Sequence, residues 1–408
     1  STTTGAAITT IAKTGNNLAY TMAADTAVPS GAGYLLVYTR NGGIESTTSV
    51  ALDFSDRVYR LVKDIRTGYN DSNPTYLTLY NSEIYFSAND GINGLELWHS
   101  DGTSDGTEML ANINPSGSFN PKYLTRMNSY DDLLYFAAED GSNGKALWQS
   151  DGTSGGTTMV ENMENSDPTE LFAYDQELYF GAEFSGSGNE VLQLVQNDST
   201  PPTVSLFTEI ASGSADSTPH NFNVVNGDLF FSADDGTNGR ELWWSDNCDF
   251  DAVELIANMN SSGSFLPSNP AKCPNYWTIP FASRLYFMAD DGSGNTLWRT
   301  DGTVANTKEI DTDYGDPCNF IEMGGYLYFY ATEIGGIAGM ELYRLDPADD
   351  GITLVKDINS GTDNSVPYNI STPSLNFITF PCLFNGKLYF AATDGANGVE
   401  LWESDGTE

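Results

Sequence analysis

One stretch recurs along this chain and constrains its fold more than any other feature. Ile84–Thr107 reads IYFSANDGINGLELWHSDGTSDGT, and close copies begin at Leu134, Leu229, Leu285 and Leu388. More divergent copies begin at Leu178 and Leu327. Self-similarity of this kind indicates an array of equivalent structural units. The repeated hairpins lie near 84–107, 134–157, 178–196, 229–246, 285–303, 327–346 and 388–407.

Each unit offers four short β-forming runs separated by turn sequences. Strand a is a short apolar run, strand b reads LYFSA, strand c reads ELWxS and strand d reads LVKDI. The b–c connection, D-G-x-N-G, supplies residues that tolerate the positive φ of a tight hairpin. Four strands in about 50 residues is typical of a propeller blade. The sequence therefore predicts an all-β fold, a β-propeller of four-stranded blades spanning residues 1–408 as a single unit.

The number of blades follows from the spacing of the copies. The repeat recurs about every 51 residues, which fits eight units into 408 residues. In that favoured interpretation residues 1–55 form a degenerate first blade without its Trp. In the alternative, seven blades, Arg60–Ile65 (RLVKDI) supplies the missing strand d of the last blade and residues 1–55 are an N-terminal appendage.

The charge of the chain limits its partners. It has 17 Lys and Arg against 56 Asp and Glu, a formal net charge of −39. Such a field repels nucleic acid and anionic lipid, and it favours divalent cations or basic partners. We expect no nucleic-acid partner and no membrane insertion, because no apolar run approaches the length of a membrane helix.

Several features predict an extracellular or cell-surface location. The chain begins with Ser1 rather than Met, as a processed protein does. Four cysteines without CxxC spacing suit disulfides better than zinc, and we expect the pairs Cys248–Cys273 and Cys318–Cys382 from their places in the repeats. Four N-x-[ST] sequons are glycosylation candidates: Asn70, Asn197, Asn260 and Asn369.

An aromatic residue occupies one fixed place in strand c. It could form a series of sugar-stacking platforms, but packing between blades is the favoured interpretation, because each ring can bury on the order of 200 Å². Leu194 and Tyr343 replace it in the divergent copies. The structural aromatics are Trp98, Trp148, Trp243, Trp298 and Trp402.

The Asp-Gly loops between strands b and c carry the candidate metal ligands. Carboxylate, amide and carbonyl oxygens in one tight loop are the ligands that Ca²⁺ prefers. The favoured alternative is an Asx-turn, in which Asp accepts hydrogen bonds from its own loop. Ca²⁺ is the only cofactor that we expect, at Asp90, Asp140, Asp235, Asp291 and Asp394.

Catalytic signals are sparse. G-x-S-x-G occurs at Gly102–Gly106 and Gly152–Gly156, but inside the repeated c–d turn rather than between a strand and a helix. Only the two histidines, His99 and His220, could serve as bases, and each is solitary in the sequence. The sequence therefore predicts no catalytic residues and no enzyme activity.

The E-L-W-x-[ST]-D-G-T unit resembles the ELWxTDGT repeats of large secreted or surface proteins of bacteria and some algae. This resemblance covers seven units and implies an extracellular binding or structural module without a defined active site. We expect a non-enzymatic adhesive or structural propeller, self-assembling into a fibre or coat with Ca²⁺ at its acidic loops. Its partners would be itself, other surface proteins or glycans. The alternative is a secreted propeller enzyme or lectin that acts on glycans at the central channel.

Overall fold

The chain divides into two compact units, Ser1–Val62 and Lys63–Glu408. In the first, β1 (Tyr34–Asn41) pairs antiparallel with β2 (Ile44–Asp53). The computed structural model describes residues 34–41, 44–53 and 61–407, apart from 69, 129–130, 164–165, 198–199, 247–252, 257, 261–262, 266–277, 337–338 and 366–380.

The second unit consists of antiparallel sheets that follow one another in chain order. Sheets 1 to 4 each have four strands, so the predicted all-β fold of four-stranded units is confirmed and the architecture is propeller-like. Sheet 1 comprises β3 (Thr75–Tyr80), β4 (Glu83–Asn89), β5 (Leu95–Ser100) and β6 (Thr107–Ala111). Sheet 2 comprises β7 (Lys122–Met127), β8 (Leu133–Glu139), β9 (Lys145–Ser150) and β10 (Thr158–Asn162). Sheet 3 comprises β11 (Thr169–Tyr174), β12 (Glu177–Glu183), β13 (Asn189–Asn197) and β14 (Thr200–Thr208). Sheet 4 comprises β15 (His220–Val225), β16 (Asp228–Asp234), β17 (Arg240–Ser245) and β18 (Val253–Leu255).

The last three repeats depart from this scheme. The long strand β22 (Lys308–Met323) is both the fourth strand of sheet 5 and the first strand of sheet 6, so these two sheets are continuous. Sheet 7 has three described strands. Before β22, sheet 5 comprises β19 (Thr278–Phe281), β20 (Arg284–Asp290) and β21 (Asn295–Thr300). After β22, sheet 6 comprises β23 (Tyr326–Glu333), β24 (Met340–Asp346) and β25 (Gly351–Lys356). Sheet 7 comprises β26 (Cys382–Phe384), β27 (Lys387–Thr393) and β28 (Val399–Ser404). A 3-10 turn, Val304–Asn306, precedes β22.

The S-D-G-T-x-x-G-T segment forms one self-contained turn. Asp101 Oδ1 accepts hydrogen bonds from the N–H and the hydroxyl of Thr103, at 2.8 and 2.7 Å. Thr107 Oγ1 donates to the carbonyl of Thr103 at 2.6 Å and thereby closes the turn. The same bonds recur at 151–157 and 301–307. The local sequence is enough to form this turn, because each partner lies within four residues of the other.

Consecutive sheets pack face to face. The face of a sheet that contacts the next sheet is its forward face, and the opposite face is its backward face. On the forward face of sheet 1, Tyr80 and Leu97 pack against the backward face of sheet 2, including Leu124 and Leu134. Equivalent apolar clusters join sheets 2 and 3, 3 and 4, 4 and 5, 5 and 6, and 6 and 7. Burial on two sides explains why strand b is apolar throughout.

A buried carboxylate recurs in the third strand of four sheets. The side chain of Glu96 accepts hydrogen bonds from the backbone N–H groups of Ile113 and Phe119, at 3.3 and 3.2 Å. Both donors belong to the linker that leads to sheet 2. Burial raises the pKa of Glu96 to about 7, although the two N–H donors oppose the shift. The equivalent residues are Glu190, Glu241 and Glu341, each fully buried and bonded to its own linker.

Candidate functional site

The first strands of successive sheets lie side by side. Thr78 Oγ1 donates to the carbonyl of Leu124 in the next sheet at 2.8 Å, and Thr125 Oγ1 donates to that of Leu171 at 3.0 Å. The first strands of sheets 1 to 4 and of sheet 6 are irregular. In sheet 1 the pairing moves from Thr75 with Ser87 to Thr78 with Tyr85, which leaves one extra residue on the first strand, a β-bulge.

The bulge falls at an equivalent position in four neighbouring sheets, and its residue has positive φ each time. No glycine occupies this place, although the left-handed region is unfavourable for other residues by roughly 1–2 kcal/mol. Non-glycine residues held in such conformations cluster at functional sites. We call this set the bulge row: Tyr76, Tyr123, Glu170 and Asn221, with φ of 55°, 54°, 55° and 57°.

The first half of the bulge row is aromatic. The ring centroids of Tyr76 and Tyr123 are 5.4 Å apart and the rings are tilted by 54°. Tyr76 is exposed, whereas Tyr123 is half-buried between it and the next sheet. Burial, with smaller contributions from Tyr76 and Glu170, raises the pKa of Tyr123 to about 12. The Tyr123 hydroxyl is therefore protonated at neutral pH, and this side chain presents a neutral ring.

The second half of the bulge row is acidic. A carboxylate oxygen of Glu170 lies 3.5 Å from Nδ1 of His220, and the other accepts the backbone N–H of Asn221 at 3.4 Å. Burial alone would raise the pKa of Glu170, but these two partners and the charge of Arg240 outweigh it and hold the pKa below its usual range. Glu170 is thus ionised at neutral pH, and more than a third of its side chain is open to solvent.

Basic residues support the bulge row from behind. The buried guanidinium of Arg240 donates to the carbonyl and the hydroxyl of Thr218, at 2.9 and 2.5 Å, and so fixes the entry to β15. Lys122 and Lys145 both contact the Asp167 carboxylate, at 3.2 and 3.3 Å. These cations therefore already have partners. Among the described residues, Glu170 forms one ion pair, and its partner is a weak base, His220.

The bulge row was not predicted from the sequence. Its residues are Tyr, Tyr, Glu and Asn, and they lie in the variable segment that precedes each repeated hairpin. Only the alignment of the four first strands brings them into one line. His220, which the sequence shows without a partner, is paired with Glu170, and Nδ1 of His99 lies 2.8 Å from a Glu83 carboxylate oxygen.

The Asp-Gly loops form Asx-turns. One oxygen of Asp90 accepts the backbone N–H groups of Ile92 and Asn93, both at 2.8 Å, and the other accepts the Asn93 side chain at 2.6 Å. Asp140, Asp235 and Asp394 make the same three bonds, and Asp291 accepts from the N–H and hydroxyl of Ser293. Burial is the largest single influence on Asp235 and raises its pKa, but the hydrogen bonds together outweigh burial and hold the pKa below its usual range.

Within the described ranges, no three His, Cys, Asp or Glu side chains are grouped so that they could hold a metal ion. The Asx-turn bonds occupy both oxygens of Asp90, Asp140, Asp235 and Asp394. Calcium binding at these loops stays a prediction, and it would require a carboxylate to exchange loop donors for the ion.

The repeated tryptophans lie between sheets. Trp148 meets Phe119 edge to face with ring centroids 4.9 Å apart, and Trp298 meets Phe265 in the same way. Trp98 is also buried, whereas Trp243 and Trp402 are half-buried and donate to the carbonyls of Ala233 and Ala392.

The cysteine and glycosylation predictions need correction. Cys318 is disulfide-bonded while Cys382 is an exposed free thiol, so the predicted pair Cys318–Cys382 is wrong. Asn260 is buried and its side-chain amide donates to the carbonyls of Ser264 and Asp290, which excludes it as a glycosylation site in the folded chain. Asn70 is exposed, and Asn197 ends β13. Cys248, Cys273 and Asn369 lie outside the described residues.

A cavity of ≈ 340 Å³ lies between sheets 6 and 7, away from the bulge row. Its walls combine the core side chains of Leu342, Val355 and Phe390 with polar ones such as Lys387 and Glu403. The cavity lies beside β28, next to which the described part of the chain places no fourth strand. We therefore attribute it to packing at the end of the array.

Comparisons with known proteins give structural likeness without a family. No family model matches the chain, and no curated protein matches it. Among solved structures it is similar to one from a study of two prolyl endopeptidases, with 15% identity, a TM-score of 0.47, and coverage of 82% of this chain and 50% of that chain. It is also similar to a puromycin-hydrolyzing peptidase of Mycobacterium tuberculosis (13% identity, TM-score 0.41, 88% and 53% coverage) and to oligopeptidase B of Leishmania major (10%, 0.43, 73% and 44%). The chain spans about half the length of these structures.

These comparisons correct the function predicted from the sequence. The matched structures named above are peptidases, and none is an adhesive or coat-forming protein. The prediction of a non-enzymatic adhesive module is therefore corrected: the likeness is to peptidases, and at this identity it concerns the fold alone. The described part of the chain contains no helix with the length and apolar character to span a bilayer.

Proposed function

We propose that the second unit is a seven-bladed propeller that binds cationic side chains of a peptide at the bulge row. Seven blades are preferred to eight because of the first unit. β1 consists of the residues that the eight-blade interpretation assigns to the third strand of a first blade. β2 pairs directly with β1, in the position where that blade's fourth strand would lie. Arg60–Ile65 is then not needed as that blade's fourth strand. In a seven-bladed ring the first strands face the axis, so the bulge row lines the central channel.

The observation that carries the proposal is the strained bulge row itself. Four neighbouring first strands keep a non-glycine residue at positive φ, at the same place. β-Bulges re-aim side chains beside binding sites. The strain is therefore interpreted as the cost of presenting these four side chains along one line.

The side chains at this line suit a cation. Neutral tyrosine rings attract an ammonium or guanidinium group through their faces. The ionised Glu170 follows them in the row and can accept its hydrogen bonds. The net charge of −39 attracts basic ligands over a longer range. A lysine or arginine side chain, with its aliphatic stem on the rings and its charge at Glu170, satisfies both halves of the row.

Binding rather than catalysis is proposed for the row. Ser232 is the serine bonded to this pair, and its hydroxyl donates to the backbone carbonyl of His220 at 3.2 Å rather than to the imidazole. Among the described residues, the Glu170–His220 pair therefore has no hydroxyl or thiol hydrogen-bonded to its imidazole, as a covalent mechanism requires. An extracellular setting, Ca²⁺, self-association and surface-protein partners stay predictions that the row does not require.

The experiment is calorimetric titration of the full chain with the peptide acetyl-Gly-Gly-Lys-Gly-Gly-amide. The matched peptide with norleucine in place of lysine shows how much of the binding needs the charge. Glu170→Gln should weaken binding about tenfold, or roughly 1.4 kcal/mol, and Tyr123→Leu should weaken it as well. Glu108→Gln, on the outer strand β6, is the control and should bind like the wild type. Equal binding of both peptides, or an unaffected Glu170→Gln variant, would refute the proposal.

A further inference from the structure

The two ends of the sheet array are open, and their surfaces match those used at every internal junction. On the forward face of sheet 7, Leu401 is 77% exposed, whereas its equivalent Leu342 in sheet 6 is 2% exposed. On the backward face of sheet 1, Leu77 is 62% exposed, whereas Leu124 in sheet 2 is 7% exposed. Among the described residues, none of the buried clusters joins sheet 7 to sheet 1.

After sheets 1, 3, 4 and 6, a linker donates backbone N–H groups to the buried glutamate of the preceding sheet. Between sheets 6 and 7, the N–H groups of Ile358 and Ser365 donate to the Glu341 carboxylate, at 3.2 and 3.1 Å. The side-chain oxygen of Asn364 accepts the N–H of Met340 at 2.8 Å. Sheet 6 thus supplies one carboxylate and one strand-end N–H, and the linker supplies two N–H groups and one oxygen.

The same linker also packs against and hydrogen-bonds to the following sheet. Ile358 packs in the core between sheets 6 and 7, and the carbonyl of Ser365 accepts the N–H of Thr393 at 2.8 Å. The side chain of Asn359 lies against Gly395 in the Asp-Gly loop of sheet 7, where a Cβ would meet its Oδ1 at 2.6 Å. One linker therefore holds two sheets together.

Residues 63–73 occupy the place of such a linker on sheet 1. Ile65 packs against Phe86 and Trp98, and the carbonyl of Ser72 accepts the N–H of Asn89 at 2.9 Å. The side chain of Arg66 lies against Gly91 in the Asp-Gly loop of sheet 1. The sequence agrees, because Lys63-Asp64-Ile65 repeats Lys356-Asp357-Ile358, and Ser72 follows Ile65 at the spacing by which Ser365 follows Ile358.

Within the part of the chain that the structure describes, residues 63–73 do not contact a preceding sheet as the other linkers do. Among the described residues, the N–H groups of Ile65 and Ser72 and the carboxylate of Asp71 have no hydrogen-bond partner. Sheet 7 lacks the complementary half. Its Glu400 is exposed, unlike the buried Glu96 and Glu341, and no described strand pairs with β28 on the side away from β27.

We propose that residues 63–73 are the linker of sheet 7 and close the array into a ring by hydrogen bonding to Glu400. The N–H groups of Ile65 and Ser72 donate to the Glu400 carboxylate, and Asp71 accepts the N–H of Val399. Asp216 already shows that a carboxylate serves in this last role, since it accepts the N–H of Asn189 at 2.8 Å. Closure then buries Leu401 against Leu77, as Leu97 is buried against sheet 2.

The occupant is this chain's own segment rather than that of a second copy. A forward face that meets a backward face is a heterologous contact, which either closes into a ring or continues as a filament. Residues 63–73 lead directly into β3, so the linker and the sheet that must dock arrive together on one chain. Their local concentration at sheet 7 then exceeds that of any second molecule at ordinary dilution. This closure depends on the seven-sheet order of the proposed function, but not on any ligand.

Hydrogen exchange of the full chain, followed by mass spectrometry, tests the proposal. Peptides that cover 63–73 should be as protected as those that cover 356–365. Glu400→Ala should speed exchange in 63–73 at least tenfold and leave 356–365 unchanged. Glu341→Ala should do the reverse, and Glu254→Gln on the outer strand β18 should change neither. If each variant exchanges in sheets 2 to 4 at the wild-type rate, the variant remains folded.

Three results would overturn the proposal. The first is an unprotected segment 63–73 in the wild type. The second is protection that Glu400→Ala does not reduce. The third is protection that disappears on dilution while light scattering shows the mass falling to that of one chain, since the segment would then come from a second copy. Failure of the lysine peptide to bind would leave all three readouts unaffected, so the two proposals fail separately.

Discussion

Glu341 and Glu400 hold the same place in the same repeat, yet their surroundings are opposite. Glu341 is completely buried and accepts two backbone N–H groups, whereas Glu400 is exposed and has no partner among the described residues. The neighbouring leucines differ in the same way, with Leu342 in the core and Leu401 at the surface. The strand sequences follow the same pattern, MELYRLD and VELWESD. The difference therefore lies in the linker that follows, which sheet 6 has beside it and sheet 7 does not.

This comparison shows what a repeat unit lacks on its own. Neighbouring units in such arrays depend on one another for burial, so a unit without its neighbour leaves polar and apolar groups unsatisfied. The following predictions test whether the linker contact, rather than the strand itself, decides the state of these residues.

The largest effect is expected from Glu341→Ala. It leaves the buried N–H groups of Ile358 and Ser365 without an acceptor and also creates a small cavity. We expect a loss of roughly 3–5 kcal/mol in the free energy of unfolding, measured by urea denaturation. Glu254→Gln, which is exposed, serves as the control. A loss below about 1 kcal/mol would show that the linker contact does not hold the junction.

The next effect concerns pH, because burial raises the pKa of Glu96 to about 7 and that of Glu241 to about 8. The folded-state values exceed the unfolded ones, so this stability is fully present below about pH 4.5 and is lost as pH rises through 7 and 8. We expect a loss of roughly 3 kcal/mol from Glu96 and roughly 4 kcal/mol from Glu241 between pH 4.5 and pH 8.5. Glu96→Gln combined with Glu241→Gln should flatten this slope in urea denaturation. An unchanged slope would assign the pH dependence to other groups.

A smaller effect is expected in the Asp-Gly loops, where the linker is not involved. Asp235→Ala removes three hydrogen bonds inside one turn and should cost about 1 kcal/mol. Asp394→Ala removes the same bonds in sheet 7 and should lower the melting temperature in the same direction. A clear disagreement between the two would mean that these turns also depend on their neighbouring sheet.

The Asp235 loop also tests the calcium prediction. If the loop binds the ion, millimolar Ca²⁺ should raise the melting temperature beyond NaCl of matched ionic strength, and Asp235→Asn should remove part of that excess. Identical melting curves in the two salts would leave these loops as turns alone.

The smallest effect is expected at Cys382. The thiol is free and exposed, so Cys382→Ser should change the free energy of unfolding by less than about 0.5 kcal/mol. Iodoacetamide should modify Cys382 in the unreduced protein and leave the disulfide-bonded Cys318 intact. Protection of Cys382 from the reagent would show that this end of sheet 7 is covered.

The sequence by itself determined the features that form within one repeat. The strands b and c, the Asx-turn at Asp90 and the closed turn at Asp101 all arise from residues a few positions apart, so the local sequence is sufficient for them. The apolar character of strand b likewise predicts burial on two faces.

Only the tertiary structure decided the features that join one repeat to the next. Glu170 and His220 lie 50 positions apart and meet because two first strands align. Cys318 and Cys382 occupy similar places in their repeats, but only Cys318 is disulfide-bonded. Glu341 is buried and Glu400 exposed although their strands read alike. Such outcomes depend on contacts between neighbouring sheets, and a repeated sequence cannot specify them because every unit presents nearly the same residues.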